Sequence, residues 1–331
     1  MRPLLTLFLL VTLVQAQEPA KPKPPKAKAY TDPAQTDADF VIQGEYTGQL
    51  EDKTFGVQIW AQGGGKFEAV SYPGGLPGAG WDGDREKVTR TVGERADGGK
   101  TARFTSKDGS ISAEVDGQSI LVNNTEGLRV MELNRTLRSS TTLGAAPPEK
   151  AVVLFDGKGV NRFPGSRVDE SIGALMEGIT SEDTFGDCNV HVEFMLPYMP
   201  DARGQGRGNS GLYLQGRYEV QMLDSFGLEG KDNECGGLYK IAAPKVNMCL
   251  PPLTWQTYDI DFTAARYDAD GKKSANAKIT VRHNDVVIHE NQELPDSTTS
   301  SPKKEESTPG PIYLQNHGNP VRYRNIWVLR K

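Results

Sequence analysis

Between Ser210 and Asp224 the chain alternates. Ser210, Leu212 and Leu214 interleave with Gly211, Tyr213 and Gln215; a turn falls at Gly216-Arg217; then Tyr218, Val220 and Met222 interleave with Glu219, Gln221 and Leu223. A period of two belongs to strands, so this stretch reads as a hairpin with one apolar and one polar face. The polar face carries Tyr213, Gln215, Glu219 and Gln221, hydrogen-bonding and stacking groups suited to a hydroxylated ligand. Similar short runs recur from about residue 40 to the C-terminus, and no segment of useful length has a helical period. The fold class is therefore all-β. The 36 glycines and 21 prolines supply the turns that many short strands require.

The N-terminus bears on compartment. Met1-Arg2, the apolar run from Leu4 to Val14 and the small-residue site before Gln17 fit a secretory signal peptide over residues 1–16. The run is too short to span a bilayer. The expectation is a secreted or periplasmic protein with no membrane span. Residues 17–38, with the segment EPAKPKPPKAK, read as a disordered Pro/Lys tether. A net charge of −5 over 331 residues, with no Arg-rich face, argues against nucleic acid as a partner. Three cysteines leave at least one unpaired; Cys235 and Cys249 flank one loop that a disulfide could close.

Residues 39–138 read as a small antiparallel β domain of unknown role. Strands are expected at 55–61, 66–72, 102–106, 110–115, 118–123 and 128–134, with Asp108-Gly109 and Asp116-Gly117 marking hairpins. Trp81, in a Gly/Pro-rich loop, is either a sugar-stacking platform or an end plug. Residues 139–150 (SSTTLGAAPPEK) read as a linker. Residues 151–331 hold about ten candidate strands, which argues for a two-sheet antiparallel sandwich or jelly roll. The charged stretch 296–309 reads as a mobile surface loop.

Several segments of this second unit together resemble the 3-keto-disaccharide hydrolase family, which has a concanavalin A-like lectin/glucanase fold. They are Leu154-Phe155-Asp156-Gly157-Lys158, Asn209-Ser210-Gly211-Leu212-Tyr213-Leu214, Tyr218 to Asp224, Gly236-Gly237-Leu238-Tyr239, Trp255 to Ile260, Gly310 to Gly318, and Val321 to Ile326. One departure stands out: Asn316 precedes His317 where the family often has Asp or Gly. The resemblance implies a glycoside or oligosaccharide ligand already oxidised to a ketone at C3. A base would remove the C2 proton, an arginine or bound divalent cation would stabilise the enolate, the C1 substituent would leave, and water would add back.

For that chemistry the candidates are His317, at the end of a strand in a Gly/Asn turn, with Glu219 and Asp224 as carboxylates. Asn209, Tyr213, Gln215, Gln221, Tyr239 and Arg324 are the candidate substrate contacts, and Arg217 could polarise a carbonyl or bind sugar hydroxyls. His191 and Glu193 read as a solvated pair on one strand, and His283 and His289 as surface residues of a hairpin. Two other functions remain open. A conventional glycoside hydrolase needs two carboxylates at a set separation, and Glu219 is followed by Gln221 and Leu223 instead. A lectin-like binding module would need only the polar face and an aromatic platform.

Overall fold

The computed structural model describes residues 27–95 and 98–331; the expected signal peptide and residues 17–26 of the expected tether lie outside them. Strands dominate the described residues, with three short 3-10 turns. No helix among them is long and apolar enough to cross a membrane.

Eight strands form the first unit: β1 (Gly44–Leu50), β2 (Lys53–Gly63), β3 (Lys66–Pro73), β4 (Thr89–Arg95), β5 (Ala102–Thr105), β6 (Ile111–Val115), β7 (Ser119–Asn124) and β8 (Arg129–Thr136). Each pairs antiparallel with the next, and β1 returns to β8 through Glu45↔Thr136 to Gly48↔Leu133. The sheet is thus a closed up-and-down barrel, which leaves no edge to template aggregation. Alternation sends Tyr46, Val57, Ile59, Phe67 and Phe104 inward, where they form a core of their own with Tyr198 of the second unit. All six strands expected from the sequence are present. β1 and β4 escaped notice because Gly44, Gly48 and Gly93 interrupt their alternation.

The second unit contains β9 (Val152–Phe155), β10 (Val168–Asp169), β11 (Ala174–Met176), β12 (Ile179–Phe185), β13 (Cys188–Met195), β14 (Ser210–Leu214), β15 (Tyr218–Met222), β16 (Trp255–Thr263), β17 (Arg266–Tyr267), β18 (Lys273–Ala275), β19 (Ala277–His283), β20 (Val286–Leu294), β21 (Gly310–Leu314) and β22 (Arg322–Arg330). One sheet runs β10-β11-β22-β13-β16-β19-β20, with β9 added to β22; the other runs β12-β21-β14-β15. Val190, Val192 and Phe194 of β13, Tyr258 and Ile260 of β16, and Leu212, Leu214, Val220 and Ile312 of the smaller sheet fill the space between them. This is the expected antiparallel sandwich. Truncating one of these buried aliphatic side chains to alanine costs about 2–5 kcal/mol.

The outer face of the large sheet differs from expectation. Residues 139–150 do not trail as a linker but lie across it. Ser140 Oγ meets Thr257 Oγ1 at 2.7 Å, Thr142 Oγ1 donates to Asp259 at 2.6 Å, and the Gly144 amide donates to Glu193 at 2.5 Å. His191 and Glu193 are consequently buried, not solvated. His283 and His289 are buried as well: His283 Nε2 faces Gln256 Oε1 at 3.0 Å, and His289 Nε2 faces the Gly236 carbonyl at 2.7 Å. Each occupies an inward position of its strand, which a two-residue turn had made look peripheral. Cys188, Cys235 and Cys249 are all buried free thiols.

The barrel docks on the sandwich. Trp60, on the outer face of β2, joins the sandwich core, and the Arg207 guanidinium lies 5.0 Å from its ring centroid. Arg207 also donates to the Ala61 carbonyl at 3.1 Å, and Arg90 to the Gly227 carbonyl at 3.0 Å.

Candidate active site

The β14–β15 hairpin carries the site on the face turned away from the sandwich core. Tyr213 and Glu219 are direct cross-strand partners, as are Gly211 and Gln221. β15 is the last strand of its sheet, yet a loop covers its edge: the Gly237 carbonyl accepts from Gln221 N at 2.8 Å, and Tyr239 N donates to the Glu219 carbonyl at 3.3 Å. That pairing sets Tyr239 beside Glu219. β14 begins just after Asn209, and β21 delivers Gln315 and then His317 from the neighbouring strand end. Together with Gln205, Thr299 and Ser300 these residues line a pocket of about 80 Å³. It has room for about three water-sized groups, hence for the reacting edge of one sugar ring.

Glu219 lies at the floor, 3% exposed. Burial pushes its carboxyl up to about 7, and a hydrogen bond with the Tyr213 hydroxyl only partly offsets this. The Gln221 amide nitrogen stands 3.1 Å from Glu219 Oε1 and 2.7 Å from the Ser210 carbonyl, in the orientation that satisfies both. No cation pairs with Glu219 among the described residues. Gly211 makes room for the carboxyl: a Cβ there would lie 2.2 Å from Glu219 Oε1. Tyr213 is held in turn by Gln315 Nε2 at 3.1 Å. Two buried polar atoms of the pocket residues, Asn209 Oδ1 and Gln315 Oε1, have no hydrogen-bond partner among the described residues. Buried acceptors of this kind are costly unless something donates to them. His317 is exposed at the rim.

Asn209, Tyr213, Glu219, Gln221, Tyr239 and His317 therefore share one pocket, and three other candidates do not. Gln215 adopts a left-handed φ of +55° in the hairpin turn, which takes it off the strand face; its amide donates to the Phe185 carbonyl. Asp224 is 2% exposed and receives Arg207 Nε at 2.6 Å, so its charge is spent on the barrel interface. Arg324 lies in the large sheet, donating to Glu193 at 2.6 Å and stacking over Trp255. Arg217 is also structural. Buried in the turn, it donates to the Lys304 and Thr308 carbonyls and pairs with Glu306. It thereby ties down the loop that brings Thr299 and Ser300 to the pocket, a loop that composition alone made look mobile.

Gln205, Thr299, Ser300 and Gln315 are pocket residues that sequence reasoning did not single out. Gln315 was visible as the polar residue two positions before His317; Thr299 and Ser300 sit in an irregular loop and Gln205 in a short 3-10 turn, none with a periodic signal.

No group of three or more His, Cys, Asp or Glu side chains able to hold a metal occurs among the described residues, and the pocket offers one carboxyl and one imidazole. No arginine lines it either.

The site is a polar pocket on one sheet of an antiparallel sandwich, with one desolvated carboxyl and a rim imidazole, the parts of a site for proton-transfer chemistry. More particularly, residues 150–329 match the 3-keto-alpha-glucoside-1,2-lyase-like domain, and the chain belongs to that family. The barrel lies outside the match. A structure described as "a putative glycosyl hydrolase" from Parabacteroides distasonis ATCC 8503 is 31% identical, covering 56% of this chain and 85% of its own, with a TM-score of 0.50. Two more of the same description and organism are 19% and 20% identical; they cover 55% of this chain, 94% and 100% of their own, each with a TM-score of 0.39. No curated protein matches.

Proposed function

We propose that the sandwich cleaves glycosidic bonds of 3-keto-glycosides by elimination across C1–C2 followed by hydration. One observation carries the reading: a single carboxyl, Glu219, lies desolvated in the pocket with its pKa raised to about 7. A group so poised both takes and returns a proton near neutral pH. In the first half-reaction Glu219 removes the C2 proton, which the C3 ketone acidifies. Neutral donors, the Tyr239 hydroxyl foremost, take the enolate oxygen. The C1–O bond then breaks, its electron pair leaves with the departing oxygen, and His317 protonates that oxygen. In the second half-reaction the Glu219 proton exchanges with water admitted as the leaving group departs; a water then adds its oxygen to C1, giving its displaced proton to His317, while Glu219 delivers a solvent-derived proton to C2. The sum is hydrolysis. The two-carboxylate mechanism lacks its second acid, since Asp224 is neutralised by Arg207. A purely binding module has no use for a carboxyl held at the edge of ionisation.

Family membership in a lyase-like group and the glycosyl hydrolase description of the 31%-identical structure both support glycoside cleavage. With residues 1–16 as a signal peptide, the enzyme works outside the cytoplasm on exported or extracellular glycosides.

Turnover of a 3-keto-glucoside in deuterated water tests the mechanism. Elimination and hydration place one deuterium at C2 of the released 3-keto sugar, read at early turnover against an enzyme-free control. Release of a sugar with its original C2 hydrogen would sink the elimination route.

A further inference from the structure

The barrel has an interior of its own. Its walls enclose a cavity of about 240 Å³, larger than the roughly 150 Å³ apolar cavity that suffices to bind benzene. Eight-stranded barrels are either filled by their own side chains or hold one small ligand. Here the filling is uneven. Toward one end Tyr46 and Phe67 fill the core, and Phe104 and Leu133 form the inner wall of the cavity. That end is sealed further by Arg135, whose guanidinium donates to the carbonyls of Val41, Gln43 and Gly117. Toward the other end β3, β4 and β6 carry short inward side chains, Ala69, Ser71, Thr89, Thr91 and Ala113, opposite the larger Ile111, Val122 and Met131. Ala69 and Ala113 point inward yet are only half-buried, so the cavity opens at this end.

Up-and-down topology places the β1–β2, β5–β6 and β7–β8 hairpins at that same open end. Each carries an exposed apolar side chain: Leu50 (37%), Ile111 (37%) and Leu128 (60%). No lining residue carries a charge. The only polar groups are hydroxyls, and Ser106 already serves its own turn, accepting from Ile111 N at 3.0 Å. Ser71, Thr89 and Thr91 remain, all near the mouth.

We infer that the N-terminal barrel is a binding site for a small uncharged molecule with an apolar body, one or two rings or a short alkyl chain, and a hydroxyl or carbonyl group at one end. The body fills the space between Ile59, Ala69, Ala113 and Val122. The polar end faces Ser71, Thr89 and Thr91. The apolar lip of Leu50, Ile111 and Leu128 guides entry. A purely structural barrel would fill the mouth half with large apolar side chains, as its closed half is filled by Tyr46 and Phe67. This inference does not depend on the reaction proposed for the sandwich.

The test uses the full chain and 2-naphthol, a fluorescent neutral two-ring phenol. Wild type should bind one equivalent saturably, with an emission change reporting an apolar surrounding, and 1-octanol should displace it. Naphthalene-2-sulfonate, the same rings with a permanent charge, should bind at least tenfold more weakly. Ala113→Leu fills the cavity, and Ile111→Asp puts a charge at its mouth; each should weaken 2-naphthol at least tenfold. If Ala113→Leu fails to fold, Ile111→Asp decides the matter, because Ile111 is exposed enough to accept a charge without loss of the barrel. No saturable binding by wild type, equal affinity for the sulfonate, or wild-type affinity in the folded variants would each overturn the inference.

Discussion

Glu193 and Glu219 are chemically identical, both nearly inaccessible, and both on strands of one sandwich, yet the protein treats them in opposite ways. Burial raises the pKa of either one. At Glu193 that effect is outweighed by hydrogen bonds from His191, Asn325, Arg324 and the Gly144 amide, which hold the carboxyl at about 2. At Glu219 only neutral donors answer, the Tyr213 hydroxyl and the Gln221 amide, and the carboxyl rises to about 7. His191 follows the same logic: burial alone would lower its pKa, but Asp259 and Glu193 win and raise it. One cluster is sealed under residues 139–150 and stacked on Trp327, whereas the other opens on a pocket. A functional carboxyl is thus recognisable by the partners withheld from it, more than by its burial.

The largest effects should separate the two. Glu219→Gln should lower turnover about 10³-fold, the range for a lost acid–base group, while Glu193→Gln should leave turnover within about threefold. Comparable losses in both would break the comparison. Stability should respond in opposite directions. Glu219 has a folded pKa above its unfolded value, so its protonated form favours the fold and its contribution is lost as pH rises from about 4.5 through 7. Glu193 has a depressed folded pKa, so its contribution is present above about 4.5 and lost as pH falls toward 2. Each shift is worth about 3 kcal/mol. In denaturant melts at pH 8, Glu219→Gln should therefore be more stable than wild type, with the gain gone by pH 4. Glu193→Gln should be less stable at pH 8. A Glu219→Gln variant that loses stability at pH 8 would remove the raised pKa from the account.

The histidines extend the comparison at smaller amplitude. His317→Ala should cost about 10²-fold in turnover and shift the melt by less than about 0.5 kcal/mol, because the side chain is exposed. His191→Ala should do the reverse, destabilising by about 2–3 kcal/mol through the charge-assisted contacts to Asp259 and Glu193 that it removes. Turnover lost on His191→Ala with stability intact would move the chemistry to the sealed cluster.

This contrast explains what the sequence could and could not tell. The all-β fold, the two units and the hairpin's polar face follow from a period of two and its turns, both local properties. Tyr213, Glu219 and Gln221 were legible because alternation alone assigns their face. Gln215 was not, because one left-handed residue ended the strand early. Asp224, Arg217 and Arg324 were misassigned because a charged side chain's role depends on which distant segment neutralises it: Arg207, the 304–308 carbonyls and Glu193 in turn. The sealed face was invisible for the same reason, since residues 139–150 look like a linker until Thr142 and Gly144 are seen capping Asp259 and Glu193.

The smallest predicted effect probes how closely the pocket holds its carboxyl. Gly211 pairs with Gln221 and faces Glu219 diagonally, so an alanine methyl would need the space Glu219 Oε1 now fills. The surrounding strand cannot retreat, because Leu212 and Val220 on its other face are locked in the core. The carboxyl must swing instead, toward the pocket mouth and into better contact with water. Gly211→Ala should then lower kcat about tenfold, in keeping with the cost of misplacing a catalytic group. It should also lower the pH at which activity rises, because a better-solvated carboxyl ionises earlier. The added methyl should cost about 1–2 kcal/mol of stability by overpacking. A merely structural glycine would show the stability loss with an unmoved pH–rate profile, so the profile decides between the two readings.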